Sequence, residues 1–136
     1  MREGLDHLED RTKQFAIEVV WICARLQDVR GLRQTAWQLA DSSGSVASNH
    51  RAMRRARSNK EFAAKLQTVN EEADESVLWL EIARAVLNRL AAIPGASPAQ
   101  LPVTSKELDD ALREASELRA IFASARRTFR ERRSGT

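Results

Sequence analysis

Residues Ser45 to Glu81 read SVASNHRAMRRARSNKEFAAKLQTVNEEADESVLWLE. Both halves carry apolar residues at helical spacing. Between them, Ser58 and Glu61 make the S-x-x-E pattern of a capping box, in which the serine caps the N3 amide and the glutamate reaches back. The stretch therefore predicts the end of one helix, a tight break and the start of another.

On both sides of this segment, apolar residues recur at three- and four-residue steps through the rest of the chain. Thr104 and Glu107 make a second capping box. Gly31 and the Pro94-Gly95 pair suit the ends of two helices. These signals predict four helices, over residues 5–29, 32–57, 59–92 and 105–133.

The segment from Asp41 to Ser45 resembles a loop by propensity, because glycine and serine are weak helix formers. The apolar spacing of Leu39, Ser43 and Val46 continues across it, so we predict helix there. Long helices joined by mostly short loops pack as an antiparallel up-down-up-down bundle. The sequence thus predicts one all-α domain, a four-helix bundle over residues 1–136.

Composition excludes several classes of protein. The chain has 136 residues, of which 43% are hydrophobic, and no apolar run approaches the roughly 18–20 residues of a membrane span. Its polar N-terminus resembles neither a signal peptide nor a transit peptide. A single cysteine, Cys23, excludes an internal disulfide, and its apolar neighbours predict a buried thiol. We expect a cytoplasmic protein that binds no membrane.

Basic residues concentrate at the ends of the second and fourth predicted helices. Even-numbered helices of such a bundle end at the same pole, so we expect the two clusters to converge on a surface suited to a polyanion. Aromatic residues are few there, which favours contact with a nucleic-acid backbone over base stacking. The candidate residues are Arg51, Arg54, Arg55, Arg57, Lys60, Arg126, Arg127, Arg130, Arg132 and Arg133.

A simpler interpretation of this charge stays open. Cations at helix C-termini are favoured by the macrodipole, by about 0.3–1 kcal/mol each, without any ligand. The start of the first helix shares the pole and would partly neutralise it through four acids, Glu3, Asp6, Glu9 and Asp10.

A polar set is expected where the second and third helices face each other. Counting outward from the turn places part of the second helix opposite an acidic run of the third. The set comprises Ser45, Asn49, Arg51, Glu71, Glu72 and Glu75. We interpret it as a hydrogen-bonded network that fixes helix register and subunit contacts, so that Glu72→Ala should lower stability or disperse the oligomer.

The alternative for this set is a ligand or catalytic site, since paired carboxylates can transfer protons. No nucleophile accompanies them. A di-iron bundle site needs Glu-x-x-His pairs, and neither His7 nor His50 follows a glutamate by three residues. Gly-rich phosphate loops and zinc spacings are also missing from the sequence. We therefore predict no cofactor, no metal and no enzymatic activity, and we read His50 as an interface histidine.

Apolar stripes on two faces of the second and third helices exceed what one bundle core requires. Trp21, Trp37 and Trp79 lie on helical stripes and are interpreted as core or subunit contacts. The pattern indicates a homo-oligomer.

The chain also resembles a known family, the bacterial four-helix-bundle proteins first noticed in intervening sequences of 23S ribosomal RNA genes. The branch it resembles has an Asn-x-Arg-Ala signature, here Asn49 to Ala52, and a Glu-Glu-Ala-Asp-Glu signature, here Glu71 to Glu75. Further matching residues are Ser45-Val46, Arg55-Ala56, Ser58, Glu61-Phe62, Lys65, Val69 and Trp79-Leu80-Glu81.

The resemblance implies a homopentamer around a central channel, with Asn49, Arg51, Glu72 and Glu75 at characteristic positions of the motif. A more distant similarity is to the accessory subunit of diversity-generating retroelements, a basic pentamer that works with a reverse transcriptase and RNA. The chain departs from relatives at Ala47, where many have glycine or proline, and at His50, where they have an aromatic or aliphatic residue.

Two functions therefore follow as expectations. The first is a non-enzymatic homo-oligomer, a pentamer, that binds structured RNA, another nucleic acid or a nucleic-acid enzyme through its arginine-rich pole. The second is a protein–protein interaction scaffold with no nucleic-acid ligand.

Overall fold

The four periodic segments form four α-helices in the computed structural model, which describes residues 7–97 and 100–134. The described residues contain no strand. The predicted all-α four-helix bundle is thereby confirmed. Its helices are α1 (Leu8–Leu26), α2 (Arg33–Arg54), α3 (Asn59–Ala91) and α4 (Ser105–Ser134).

Helices that are consecutive in sequence pack side by side, whereas α1 and α4 contact each other least of the four neighbouring pairs. Phe62 near the start of α3 packs on Phe129 near the end of α4, so α3 and α4 are antiparallel. The apolar stripes meet in one central core, where burial of a large apolar side chain contributes roughly 1.5–3 kcal/mol. Its largest fully buried apolar side chains are Phe62, Phe122, Leu8, Leu26, Leu32, Leu39, Met53, Leu66, Leu80, Leu108 and Leu118.

Side-chain caps set the starts of α3 and α4, as the sequence predicts. Ser58 Oγ accepts a hydrogen bond of 3.0 Å from the amide of Glu61. At α4 the box is reciprocal: the Glu107 amide donates to Thr104 Oγ1 over 3.1 Å, and the Thr104 amide donates to Glu107 Oε2 over 2.8 Å. Each cap satisfies amides that the first helical turn leaves without an intrahelical acceptor.

The first two helices end earlier than their apolar pattern predicts. The α1–α2 turn needs the positive φ of Gly31, +86°, and tightens through a bond from the Val29 amide to the Leu26 carbonyl. After α2, the Ala56 amide bonds the Met53 carbonyl over 3.1 Å. Val29 and Ala56 still pack against the core from these turns. The apolar spacing reflects which residues are buried and not which are helical. It therefore continues past the residue where each helix ends.

The weak helix formers at 41–45 lie inside α2, which confirms the helical prediction. Ser42 and Ser43 are buried. The Ser76 hydroxyl in α3 donates to Ser42 Oγ over 2.9 Å, and Ser42 in turn donates to the Leu39 carbonyl over 3.2 Å. Tertiary packing of small residues overrides intrinsic propensity here.

Candidate nucleic-acid interface

Packing at one end of the bundle brings together the last turns of α2 and α4. The Phe62 and Phe129 rings lie 5.0 Å apart, only a few residues beyond the turn that joins α2 to α3. Met53 and Ala56 anchor that turn in the core. The ten candidate cations therefore lie at the same end, which we call the basic pole; they are Arg51, Arg54, Arg55, Arg57, Lys60, Arg126, Arg127, Arg130, Arg132 and Arg133.

The start of α1 neutralises part of the basic pole. The carboxylate of Glu9 pairs with the Arg54 guanidinium and lies 3.6 Å from Arg51 Nε. Arg57 lies 3.8 Å from Glu61, but at 90% exposure such a pair contributes little. Of the other acids expected at this pole, Glu3 and Asp6 lie outside the described residues.

Two cations at the end of α4 contact uncharged groups. Arg126 is half-buried and its Nη1 donates to Asn70 Oδ1 over 3.4 Å. The Arg133 guanidinium lies 5.8 Å from the centre of the Phe129 ring, at cation–π distance. Both contacts help to fix the position of a positive charge.

A further five cations of the basic pole are exposed and make no ion pair with any residue in the described ranges. A groove beside them, lined by Ala63, Gln67, Arg126 and Arg130, has a volume of about 80 Å³. Ligand pockets are roughly 300–1,000 Å³, so this groove is too small for a base. The surface is suited to phosphate groups. The five exposed cations are Arg55, Lys60, Arg127, Arg130 and Arg132.

The polar set expected between α2 and α3 forms mainly local bonds. Asn49 Nδ2 donates to the carbonyl and to the hydroxyl of Ser45, over 2.9 Å in each case. Glu71 accepts from Gln67 over 3.0 Å, and Glu75 accepts from Trp79 Nε1 over 3.1 Å. These partners are four residues apart on one helix, where side chains are neighbours without any crossing.

The remaining members of that set do not close the expected network either. Arg51 turns to Glu9 of α1, as described above. Ala73 is the core-facing residue of the acidic run, so the flanking acids point away from the core centre. A hydrogen bond that does cross between α2 and α3 joins Ser76 to Ser42, and sequence reasoning missed it. The signal that could have predicted this bond is the apolar register of α2, which continues through Ser42 and Ser43.

Glu72 is half-buried, and no described residue donates a hydrogen bond to its carboxylate. Burial raises the pKa of Glu72, and the neighbouring charges of Glu75, Asp41 and Glu71 raise it further. Burial and like charges on both helices therefore disfavour the charged form of Glu72, which is not the hub of a network.

The described part of the chain contains no group of three His, Cys, Asp or Glu side chains that could hold a metal ion. His50 is fully buried, with its ring 6.0 Å from that of Phe122. Cys23 is buried as expected, and burial raises the pKa of its thiol to about 12, which keeps it protonated at neutral pH.

Two of the three tryptophans lie on the surface. Trp21 is 60% exposed and Trp37 is 70% exposed, so neither belongs to the core of the single chain. Only Trp79 packs against the core. With their neighbours on α1 and α2 they form one apolar surface, which we call the tryptophan face; its residues are Ile17, Val20, Trp21, Ala24, Trp37 and Ala40.

None of the helices in the described ranges is both long and apolar enough to cross a membrane. Comparison with known proteins adds no relative: no family model, no curated protein and no solved structure matches this chain.

Proposed function

We propose that this protein is a cytoplasmic, non-enzymatic four-helix bundle that self-associates and binds a structured nucleic acid, or an enzyme carrying one, through its basic pole. One observation supports the proposal most directly: five exposed cations share one end of the bundle, with no acidic partner in the described ranges. Helix-end preference accounts for single cations at about 0.3–1 kcal/mol each. It covers the cations at the ends of α2 and α4, but it does not account for Lys60, which lies in the first turn of α3, where the macrodipole disfavours a cation.

The expected binding is directed at phosphates. If all five cations contact phosphates of a duplex, a plot of log affinity against log salt concentration has a slope of about −4.5. Between 50 and 200 mM salt, affinity would drop by roughly 500-fold. Sequence selectivity should be low, because phosphate contacts carry no base information.

A charge-reversal experiment tests the basic pole. The test variant combines Arg55→Glu, Arg127→Glu and Arg130→Glu. The control makes the same charge change at the opposite end of the bundle, at the exposed residues Arg30, Arg33 and Arg89. The measurement is fluorescence anisotropy of a labelled RNA hairpin at both salt concentrations.

We expect the test variant to lose at least 100-fold in affinity at 50 mM salt, and the control to bind like the parent. Equal binding by parent and test variant would remove this pole as the site. An equal loss in both variants would mean that net charge alone, and not the pole, attracts the RNA.

Self-association is proposed to use the tryptophan face. A tryptophan side chain buries about 150–250 Å² when covered, so two that are more than half exposed offer about 200–300 Å². One partner of a standard interface contributes about 800 Å², so the two tryptophans would supply roughly a third of it. Apolar residues of this kind usually form the centre of an interface. The number of subunits, five, rests on the resemblance to the 23S ribosomal RNA intervening-sequence proteins.

Sedimentation velocity tests this surface with a Trp21→Lys, Trp37→Lys variant. Leu78→Lys is the control, because Leu78 is an apolar residue on α3 that is also half exposed, at 50%. We expect a multimer for parent and control and a single chain for the double variant. A parent that sediments as a single chain at about 100 μM would refute self-association. It would favour the second candidate function, a scaffold whose tryptophan face binds a different protein.

A further inference from the structure

Two arginines in the last turn of α2 share one carboxylate. Arg51 and Arg54 are three residues apart, so their side chains are neighbours on the helix surface. The Arg54 guanidinium donates from Nη1 to Oε2 of Glu9 in α1, and Arg51 Nε lies 3.6 Å from Oε1 of the same side chain. Each oxygen of the Glu9 carboxylate therefore faces a different guanidinium.

This arrangement also suits a phosphate group. The N–H groups of a guanidinium bond the oxygens of a carboxylate and of a phosphate in the same geometry. Both ligands carry two or more oxygens on one negatively charged group, so either can contact Arg51 and Arg54 at once. The Glu9 carboxylate thus occupies a position in which a phosphate of a nucleic acid would meet two arginines.

The shared carboxylate is accessible from solvent and adjoins the exposed cations of the basic pole. The side chain of Arg51 is 53% exposed, and those of Arg54 and Glu9 are 30% and 33% exposed. Arg55, one of the five exposed cations, follows Arg54 directly in the chain. A nucleic-acid backbone that contacts Arg55 therefore passes close to the Glu9 carboxylate.

The hold of Glu9 on the two arginines is local and separable from the fold. Glu9 lies in the first turn of α1, where the macrodipole favours an acid whether or not an arginine contacts it. A partly exposed ion pair adds little to stability, so its removal should leave the bundle folded. Because Glu9 belongs to the same chain, its carboxylate nevertheless competes with an incoming phosphate at a high effective concentration.

We propose that Glu9 masks a phosphate-binding position formed by Arg51 and Arg54, and thereby lowers the affinity of the basic pole for nucleic acid. This masking presupposes the proposed function and adds to it a regulation of the same site by an acid of α1. With Glu9 in place, the five exposed cations contact phosphates; without its charge, Arg51 and Arg54 join them. The slope of log affinity against log salt concentration should then steepen from about −4.5 to about −6.3.

Fluorescence anisotropy of the labelled RNA hairpin with Glu9→Gln, at 50 and 200 mM salt, tests the masking. Asp10→Asn is the control, because Asp10 is an exposed acid of the same helical turn that makes no ion pair with any described residue. We expect Glu9→Gln to bind roughly tenfold more tightly than the parent at 50 mM salt, and Asp10→Asn to stay within about threefold of it. An equal gain in both variants would mean that net charge raises the affinity, and would overturn the proposal.

Neutralising the two arginines gives an independent measurement. Arg51→Gln with Arg54→Gln should change the affinity of the parent by less than about threefold, because Glu9 already withholds both from the RNA, and should abolish the gain in the Glu9→Gln background. An equal loss in both backgrounds would mean that RNA contacts these arginines with Glu9 in place. That result would overturn the masking and leave the proposed function intact, whereas the absence of RNA binding by the parent and by Glu9→Gln would overturn both.

Discussion

The Arg11 guanidinium in α1 donates two hydrogen bonds to the Glu114 carboxylate in α4, from Nε over 2.8 Å and from Nη2 over 2.6 Å. This fork-to-fork geometry is stronger and more directional than a single charged contact. Helices α1 and α4 otherwise contact each other least. This pair and the Arg25–Glu107 pair therefore hold the α1–α4 interface together, and we call that interface the seam of the bundle.

Glu114→Gln should therefore destabilise the bundle by about 1 kcal/mol, a value kept small because both partners are partly exposed. For a chain of this size that lowers Tm by about 3–5 °C. Hydrogen bonding to Arg11 lowers the pKa of Glu114, so its contribution is complete above the ordinary glutamate value of 4.5 and is lost as pH falls through the folded-state pKa.

Thermal unfolding of parent and Glu114→Gln across pH measures this contribution. The two melting curves should differ at pH 7 and converge in acid, and Glu131→Gln, an exposed control on α4, should follow the parent throughout. A difference in Tm that does not change with pH would show that packing, and not the charged pair, stabilises the seam.

Glu72→Gln should have the opposite effect. Burial, then Glu75, Asp41 and Glu71, raise the pKa of Glu72. A raised folded-state pKa contributes stability that is complete below the ordinary value of 4.5 and is lost as pH rises through the folded-state pKa. At pH 7 the charged form of Glu72 destabilises the folded protein, so removing the charge should raise Tm.

The expected rise in Tm reverses what the sequence alone predicts for Glu72. Differential scanning calorimetry at pH 7 and at about pH 3.5 distinguishes these two expectations for Glu72, with Glu81→Gln on the exposed face of α3 as control. A lower Tm for Glu72→Gln at pH 7 would restore the interpretation of Glu72 as a network residue.

The Ser42–Ser76 contact should depend on side-chain size more than on its hydrogen bond. Without Ser76, Ser42 still donates to the Leu39 carbonyl, and without Ser42, Ser76 can donate to the Glu72 carbonyl over 2.9 Å. Either serine-to-alanine change leaves no orphaned donor and should cost less than about 1 kcal/mol. Ser76→Leu should cost about 1–3 kcal/mol or more, because it separates α2 from α3.

Urea denaturation of Ser42→Ala, Ser76→Ala, the double variant and Ser76→Leu separates these effects. A loss above about 2 kcal/mol in either alanine variant would mean that the hydroxyl pair itself stabilises the interface. A tolerated Ser76→Leu would mean that the helices are not in close contact at this level.

Sequence reasoning succeeded where one local rule determined the outcome. The Thr104–Glu107 box and the Gly31 turn are specified within a few residues. Apolar spacing also carried α2 correctly through its serines. The same spacing extended the first two helices too far, because Val29 and Ala56 remain in the core after the helix has ended.

Side-chain partners were less accessible to sequence reasoning. Asn49 could reach Ser45 one turn away or the acidic run across the interface, and only the three-dimensional distances decide that the local partner wins. The tryptophans present the same limit. A helical stripe predicts that Trp21 and Trp37 are covered by something, but it does not distinguish the core of the chain from a second molecule.

Phe129 is the packing link between α4 and the start of α3. Its ring lies against Phe62 and below the Arg133 guanidinium. Truncation of a buried phenylalanine costs about 3–5 kcal/mol, and here the loss falls on the last turns of α4. Phe129→Ala should therefore fray those turns and disperse the cations that they carry, although the net charge is unchanged.

Hydrogen exchange should show lost amide protection after Arg126 in Phe129→Ala, together with weaker RNA binding, and Phe129→Leu should retain most of both. The comparison separates the position of the charges from their number. If Phe129→Ala frays the helix and yet binds RNA with parental affinity, the proposed function would need only the charge of the α4 end, and a rigid surface at the basic pole would have no part in recognition.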